Sequence, residues 1–249
     1  MIRLPRIVPP AVLIAAILVL AAPALAQEVT LDLGDAGGSF TGRVVQIILL
    51  MTVLSLAPAI LVVVTSFTRI VVVLSLLRSA MGVQQTPPNV VIISLALFLT
   101  GYVMAPTFEA AYKDGIAPLI AEQISAEDAF TATAAPLRGF MLAHVRAKDL
   151  GLFVDLAGVD ATTTGPEELP LQALIPAFLI SELRRAFEIG FLLFVPFLVI
   201  DMVVASVLMS MGMMMLPPII ISLPFKLIFF VLVDGWNLVA QSLVQSYAT

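Results

Sequence analysis

The chain reads as an all-α membrane protein built from helical hairpins with kinked helices and a small helical insertion. Three observations predict this. Of 249 residues, 61% are hydrophobic and only 12% charged, against roughly 25% charged in a soluble domain, and mean hydropathy is +1.11. The apolar residues form long charge-free runs, 44–68, 79–108 and 202–225, long enough to cross a bilayer as helices. Prolines fall inside those runs, where they kink helices or end them.

The N-terminus carries a removable signal. Arg3 and Arg6 precede the apolar run 11–22, and Ala24-Leu25-Ala26 supplies small residues for cleavage after Ala26, so that the mature chain starts at Gln27. The alternative is an uncleaved first membrane helix. With 1–26 as signal peptide, 27–43 becomes a periplasmic segment.

A first hydrophobic hairpin follows over 44–108. Run 44–68 spans with some tilt, and Pro58 is expected to kink it. The next stretch, 69–78, is too short between Arg69 and Arg78 to span alone. A turn comes at Gly82-Val-Gln-Gln-Thr-Pro-Pro88, then a helix over 89–104. The connection holds Arg69 and Arg78 without an acid, so the positive-inside rule places it in the cytoplasm.

Charge changes at Glu109. From there to Glu168 there are ten acidic and four basic residues, which reads as a small insertion, 109–170, on the outer face. Ser125-Ala-Glu-Asp128 is a helix start of the capping-box kind. Leu137, Phe140, Met141, His144 and Val145 share one helical face, which suits packing on a neighbour better than binding a ligand. Residues 162–170 read as a loop.

The second hydrophobic hairpin, 171–249, carries charges where lipid-facing residues belong. At 100° per residue Glu182, Arg184, Arg185 and Glu188 fall on one side, with Leu179, Leu183, Ala186 and Phe187 opposite. The spacing permits Glu182–Arg185 and Arg184–Glu188 pairs. Asp201, Lys226 and Asp234 stand isolated in apolar surroundings. Intramembrane charges of this kind mark either ion pathways or pairings. One chain offers them few obvious partners, so pairing between subunits is expected for Glu182, Arg185 and Lys226.

The run 202–225 is interrupted by Met209-Ser-Met-Gly-Met-Met-Met-Leu-Pro-Pro218, which holds five of the eleven methionines within seven residues. Gly212 loosens the backbone, and Pro217 and Pro218 oppose helix. Irregular backbone at membrane depth survives only when protein buries it or it lines a cavity. Unbranched methionines can seal an opening and yield to a passing chain, or they can fill core gaps.

No cysteine is present, which excludes disulfides and thiolate metal sites, and the single histidine, His144, cannot form a histidine metal site alone. No cofactor and no metal are expected. A net charge of −5 argues against nucleic acid. No nucleophile–base pair, zinc motif or phosphate-cradling glycine loop is found, so the chain does not read as an enzyme.

Long motifs point further. Ser66-Phe-Thr-Arg-Ile-Val-Val-Val-Leu-Ser-Leu-Leu-Arg-Ser-Ala-Met-Gly82, Gln84-Gln-Thr-Pro-Pro-Asn89, Leu95-Ala-Leu-Phe-Leu-Thr100, Pro176-Ala-Phe-Leu-Ile-Ser-Glu-Leu183, Met213-Met-Met-Leu-Pro-Pro218, Ser222-Leu-Pro-Phe-Lys226 and Val233-Asp-Gly-Trp236 together closely resemble the FliP family of flagellar export proteins. The likeness covers nearly all of the mature chain and is weakest over 108–170. It implies a subunit of the type III export gate in the bacterial inner membrane, at the flagellar basal body. Roughly five copies would join FliR and FliQ head to tail in a helical, non-planar assembly. Part of that assembly would be lifted above the membrane plane on the periplasmic side, and membrane lipid and other export-gate membrane components are further partners that the resemblance implies. The family's constriction maps onto Met213, Met214 and Met215 beside Gly212, around secreted unfolded flagellar proteins. Energy would come from an associated ATPase and the proton motive force, through other components. Three alternatives stand beside this reading: the homologous subunit of a virulence secretion system, an ion-coupled transporter using Asp201 and Lys226 as a relay, and a purely structural scaffold.

Overall fold

The computed structural model describes residues 40–83, 85–159, 165, 169–213 and 215–248. The signal segment with its Ala26–Gln27 junction, Met214 and most of the 162–170 loop lie outside the described residues. The chain divides into the units Met1–Met51 and Thr52–Thr249, and everything below except the start of the first helix concerns the second.

Every described regular element is helical. Helix α1 covers Phe40–Val64 and is unbroken at Pro58, where a kink is expected from sequence. Helix α2, Phe67–Ala80, is the centre of the fold. Its run Ile70-Val71-Val72-Val73 is β-branched and intrinsically poor in helix. Burial overrides that preference: Ile70, Val73, Leu74 and Leu77 recur at helical spacing and are all buried. Against them pack Ile92, Ala96, Ala186, Phe197, Phe230, Val239 and Leu243, so α2 is sheathed by helices from both hydrophobic hairpins.

Arg78 closes the turn that follows, donating to Asn89 Oδ1 (2.6 Å) and to the Pro87 carbonyl (3.2 Å). Helix α3, Asn89–Ala111, buries the stripe Ile92, Ala96, Thr100 and Met104 and exposes Val90, Phe98 and Tyr102. It does not stop near Met104. It passes Glu109, widens into a π turn at Tyr112–Ile116 and ends in the short α4, Ala117–Ile120. The hydrophobic segment and the acidic insertion are therefore one continuous rod, and Glu109 pairs with Lys113 on its exposed surface at 2.5 Å.

The insertion is itself helical. Ser125 caps α5, Ala126–His144, by accepting from the Asp128 amide at 3.2 Å, while its hydroxyl donates to the Asp128 carboxylate at 2.7 Å. Met141, with Leu137, Phe140 and Val145 beside it, packs on Leu174 and Phe178, as expected of that face. Helix α6, Ala147–Leu156, places Val154 against Leu169 and Ala173.

Helix α7 runs for 40 residues, Leu171–Ser210, through Pro176 and Pro196. Its first half is buried among α2, α5 and α6, and its second half is largely exposed and apolar. Gly190 lets it approach α2: a Cβ there would lie 2.3 Å from Leu76 Cδ1. Helices α8, Pro218–Leu232, and α9, Gly235–Gln245, meet at a 64° bend with Asp234 in the left-handed conformation (φ 51°). By length and composition, Asn89–Ile120 and Leu171–Ser210 can each cross a membrane, and the bent α8–α9 pair makes a third candidate.

Candidate functional site

One buried ion pair, one half-buried ion pair and an exposed methionine loop make up the chemically distinctive part of the molecule. The first pair is Arg69–Glu182. Glu182 is fully buried and Arg69 almost so. The guanidinium grips the carboxylate with two donors, Nε to Oε2 at 3.0 Å and Nη2 to Oε1, the forked geometry that makes Arg–carboxylate contacts strong. Nη1 is satisfied by the Ser246 carbonyl (3.1 Å) and hydroxyl (3.0 Å). The Tyr247 hydroxyl donates to Glu182 Oε2, and its ring lies 3.8 Å from Arg69 Cζ, a cation–π contact. Tyr247 also stacks on Phe140 and lies tilted against His144 of α5. Burial, and then the adjacent Glu182 charge, hold the Tyr247 phenol well above its ordinary pKa. Three separated segments of chain thus meet at one carboxylate.

The second pair is Lys226–Asp201. Lys226 Nζ donates to Asp201 Oδ2 at 2.7 Å and to the Ala80 carbonyl at 3.2 Å. Ser222 donates to Asp201 Oδ1 at 2.6 Å. The ammonium therefore ties α8 to α7 and also caps the C-terminal end of α2, where a positive charge is favoured.

These contacts correct the sequence reading of the charges. Glu182 and Lys226, expected to find partners on other subunits, find them within the chain, because the fold brings Arg69 and Asp201 to them. Glu182 lies on the same buried face as Phe178 and Ala186, apart from Arg184, Arg185 and Glu188, whereas Phe187 is exposed. No Glu182–Arg185 pair forms. Arg184–Glu188 does, at 2.9 Å, with Arg185 at 3.4 Å from the same carboxylate. Arg69, which the sequence assigns to the hairpin connection expected on the cytoplasmic side, is an internal residue of α2 with its charge satisfied. Asp234 is exposed at the α8–α9 bend, accepting from Asn237 at 3.1 Å.

The methionine loop joins α7 to α8. Gly212 takes φ +76°, and the Met213 amide reaches back to the Leu208 carbonyl (3.0 Å) while the Gly212 amide bonds Met209 O (3.1 Å). That is a Schellman cap: Gly212 ends the helix in a defined turn rather than loosening it. The helix resumes at Pro218, whose missing amide is no loss in the first turn. Met211, Met213 and Met215 are exposed, Met215 almost completely at 98%. Below them α7 and α8 flank a wholly apolar groove of about 590 Å³ that includes Val203, Val207, Met211, Ile221 and Phe225.

Sequence reasoning missed Tyr247, Ser246, Ser222 and the pairing of Arg69. The available signal was Arg69 itself, a charge embedded in an apolar helix with no acid near it, which demands a distant carboxylate.

The fold and these clusters define an all-helical protein with membrane-spanning helices, cross-braced by two internal ion pairs and carrying a methionine loop between two apolar helices. The family model described as the FliP family matches residues 50–243. The flagellar biosynthetic protein FliP of Caulobacter vibrioides is 63% identical over 230 residues, 92% of this chain and 86% of that protein. Those of Rhizobium meliloti (54% over 211 residues, 84% and 86%) and Bacillus subtilis (55% over 203 residues, 82% and 91%) are similar throughout. The chain belongs to the FliP family, and its place is in flagellar protein export.

Proposed function

We propose that this chain is the core pore-forming subunit of the flagellar type III export gate in the bacterial inner membrane, passing unfolded flagellar subunits through a methionine-lined constriction. The observation that carries the reading is the loop itself. Met213 and Met215 stand exposed from a fixed turn between two apolar helices, with Met214 between them in sequence, in a chain of the FliP family. Roughly five copies assemble with FliR and FliQ around one axis, by a repeated heterologous contact. Each copy contributes thioethers that close the opening to ions and deform around a polypeptide. The exposed charges Arg184, Arg185, Glu188 and Asp234 then serve contacts between subunits. The signal peptide 1–26 is removed after Ala26 to leave Gln27, and the 109–170 insertion lies on the periplasmic side with 27–43.

A relay through Asp201 and Lys226 is disfavoured. Their mutual pairing, with Ser222 and the Ala80 carbonyl, already accounts for both charges. The test of the gate is replacement of Met213, Met214 and Met215 by alanine in cells that supply the partner subunits. The expected result is leakage of small ions across the inner membrane with flagellar export retained at least partly. An assembled variant as tight as wild type would place the seal elsewhere.

A further inference from the structure

Helix α7 changes character at one turn. Before Glu188 it is packed by α5 and α6; after it, residues 189–210 hold one charge, Asp201, among 22 residues. That stretch is about 33 Å long at 1.5 Å per residue, close to a hydrocarbon thickness of roughly 30 Å. Its ends are the Schellman cap beside the methionines and the charged turn Arg184–Glu188. The charged turn thus falls where a bilayer's headgroups would lie.

A pocket of about 360 Å³ opens at this turn, lined by Arg69, His144, Arg185, Glu188, Ile189 and Leu192 among others. Its charges do not balance. Arg69 is neutralised by Glu182, and Glu188 is held at 2.9 Å by Arg184. Arg185 has only a 3.4 Å contact to the same carboxylate, and nearby Arg146 is paired with Asp149 at 3.6 Å. Around the pocket the guanidiniums of Arg69, Arg184 and Arg185 therefore meet the two carboxylates of Glu182 and Glu188, and one positive charge is in excess. Most of the Arg185 donors remain for a ligand, and a planar guanidinium suits a phosphate oxygen pair. His144 Nδ1 is engaged with the Phe140 carbonyl at 2.8 Å, so the ring is fixed as a wall. The other side is apolar: Ile189 and Leu192 continue into the exposed residues Phe191, Val195, Leu198 and Val199.

We propose that this pocket binds the headgroup of an anionic phospholipid, with Arg185 as the phosphate ligand and the acyl chains laid along Ile189 and Leu192. One excess positive charge matches one phosphodiester, and the apolar continuation distinguishes a lipid from a free anion. The site belongs to the inserted chain before a neighbouring subunit covers the turn. It rests on membrane insertion of α7 and not on the methionine gate, so a failed leak experiment leaves it standing.

The test uses the full chain purified in detergent and titrated with phosphatidylglycerol or phosphatidylcholine of equal chain length, bound lipid being counted by native mass spectrometry. Phosphatidylglycerol should bind about tenfold more tightly than phosphatidylcholine, a difference of about 1.4 kcal/mol. Arg185→Gln should erase the difference and Arg185→Lys should keep part of it. Leu192→Asn should weaken both lipids. Arg185 and Leu192 are exposed, and a melting curve matching wild type confirms each variant's fold. Equal binding of the two lipids, or unchanged selectivity in Arg185→Gln, overturns the proposal. So does displacement of the lipid by millimolar inorganic phosphate, which would make the site one for free anions. Loss of self-association in Arg185→Gln with lipid selectivity intact would likewise assign the pocket to a second copy and refute a lipid site.

Discussion

Lys226 Nζ lies 2.7 Å from Asp201 Oδ2 and 3.2 Å from the carbonyl of Ala80, so one ammonium joins α8 to α7 and to the end of α2. The groups are unequal: Lys226 is buried, whereas the Asp201 side chain is 34% exposed. Losing the carboxylate strands a buried charge, and losing the ammonium strands one that water can reach. Asp201→Asn should therefore destabilise the chain by about 3 kcal/mol, at the lower end of the range for a broken buried pair. Lys226→Met should cost less, and the double variant should recover much of the loss. Thermal unfolding of the detergent-solubilised chain measures all three. Additive losses in the double variant would show that the two side chains do not act as a pair.

Tyr247 holds Glu182 from above while its ring covers Arg69. Tyr247→Phe keeps the ring and removes the donor, with an expected loss of about 1.5–3 kcal/mol for a hydrogen bond to a charged group. Tyr247→Ala removes the cation–π contact and the stacking on Phe140 as well, and should lose more. Ionisation of this phenol is opposed in the folded chain, so its contribution is complete below the ordinary value of 10.0 and disappears as pH rises beyond it. Wild type should lose stability above about pH 10 more steeply than Tyr247→Phe. Parallel alkaline profiles would mean that the hydroxyl is not held by Glu182.

Which parts of this were legible in the chain follows from the range of the interactions. Ser125 and Asp128 are three residues apart, and the face containing Phe140 and Met141 is a matter of period, so both could be read locally. The turn before Asn89 and the break after Ser210 are announced by Gly82, Pro87, Pro88, Gly212 and Pro217. The charges were different. Arg69 and Glu182 are 113 residues apart, and helical arithmetic assigned Glu182 to the charged side because it knew only the neighbours on α7. The extension of α3 past Glu109 was also hidden, since a drop in hydropathy marks a change of surroundings and not the end of a helix.

Gly190 sets how closely α7 lies on α2. A methyl group there would meet Leu76 Cδ1 at 2.3 Å, Cβ at 3.2 Å and Cγ at 3.3 Å. The terminal methyl can rotate away, but the two inner atoms require the helices to part. Gly190→Ala should destabilise by about 1–3 kcal/mol, the usual range for overpacking, despite alanine's better helix propensity. Leu76→Ala in the same chain should return part of the loss. A Gly190→Ala chain as stable as wild type would show that the α2–α7 contact is soft.

Gly212 offers the reverse situation, with space but no conformational freedom. Its φ is +76°, and a Cβ would meet nothing within 4 Å. A substitution there pays only in backbone, about 1–2 kcal/mol for an ordinary L-residue in the left-handed region. Asparagine, which tolerates that region, should lose less than alanine. The consequence reaches the methionines, because the Met213 amide is fixed to Leu208 only through this turn. Gly212→Ala should raise the rate of proteolytic cleavage within 211–217 on the full chain, and Gly212→Asn should raise it less. Equal behaviour of the two variants, or cleavage no faster than wild type, would show that the left-handed cap does not hold the loop.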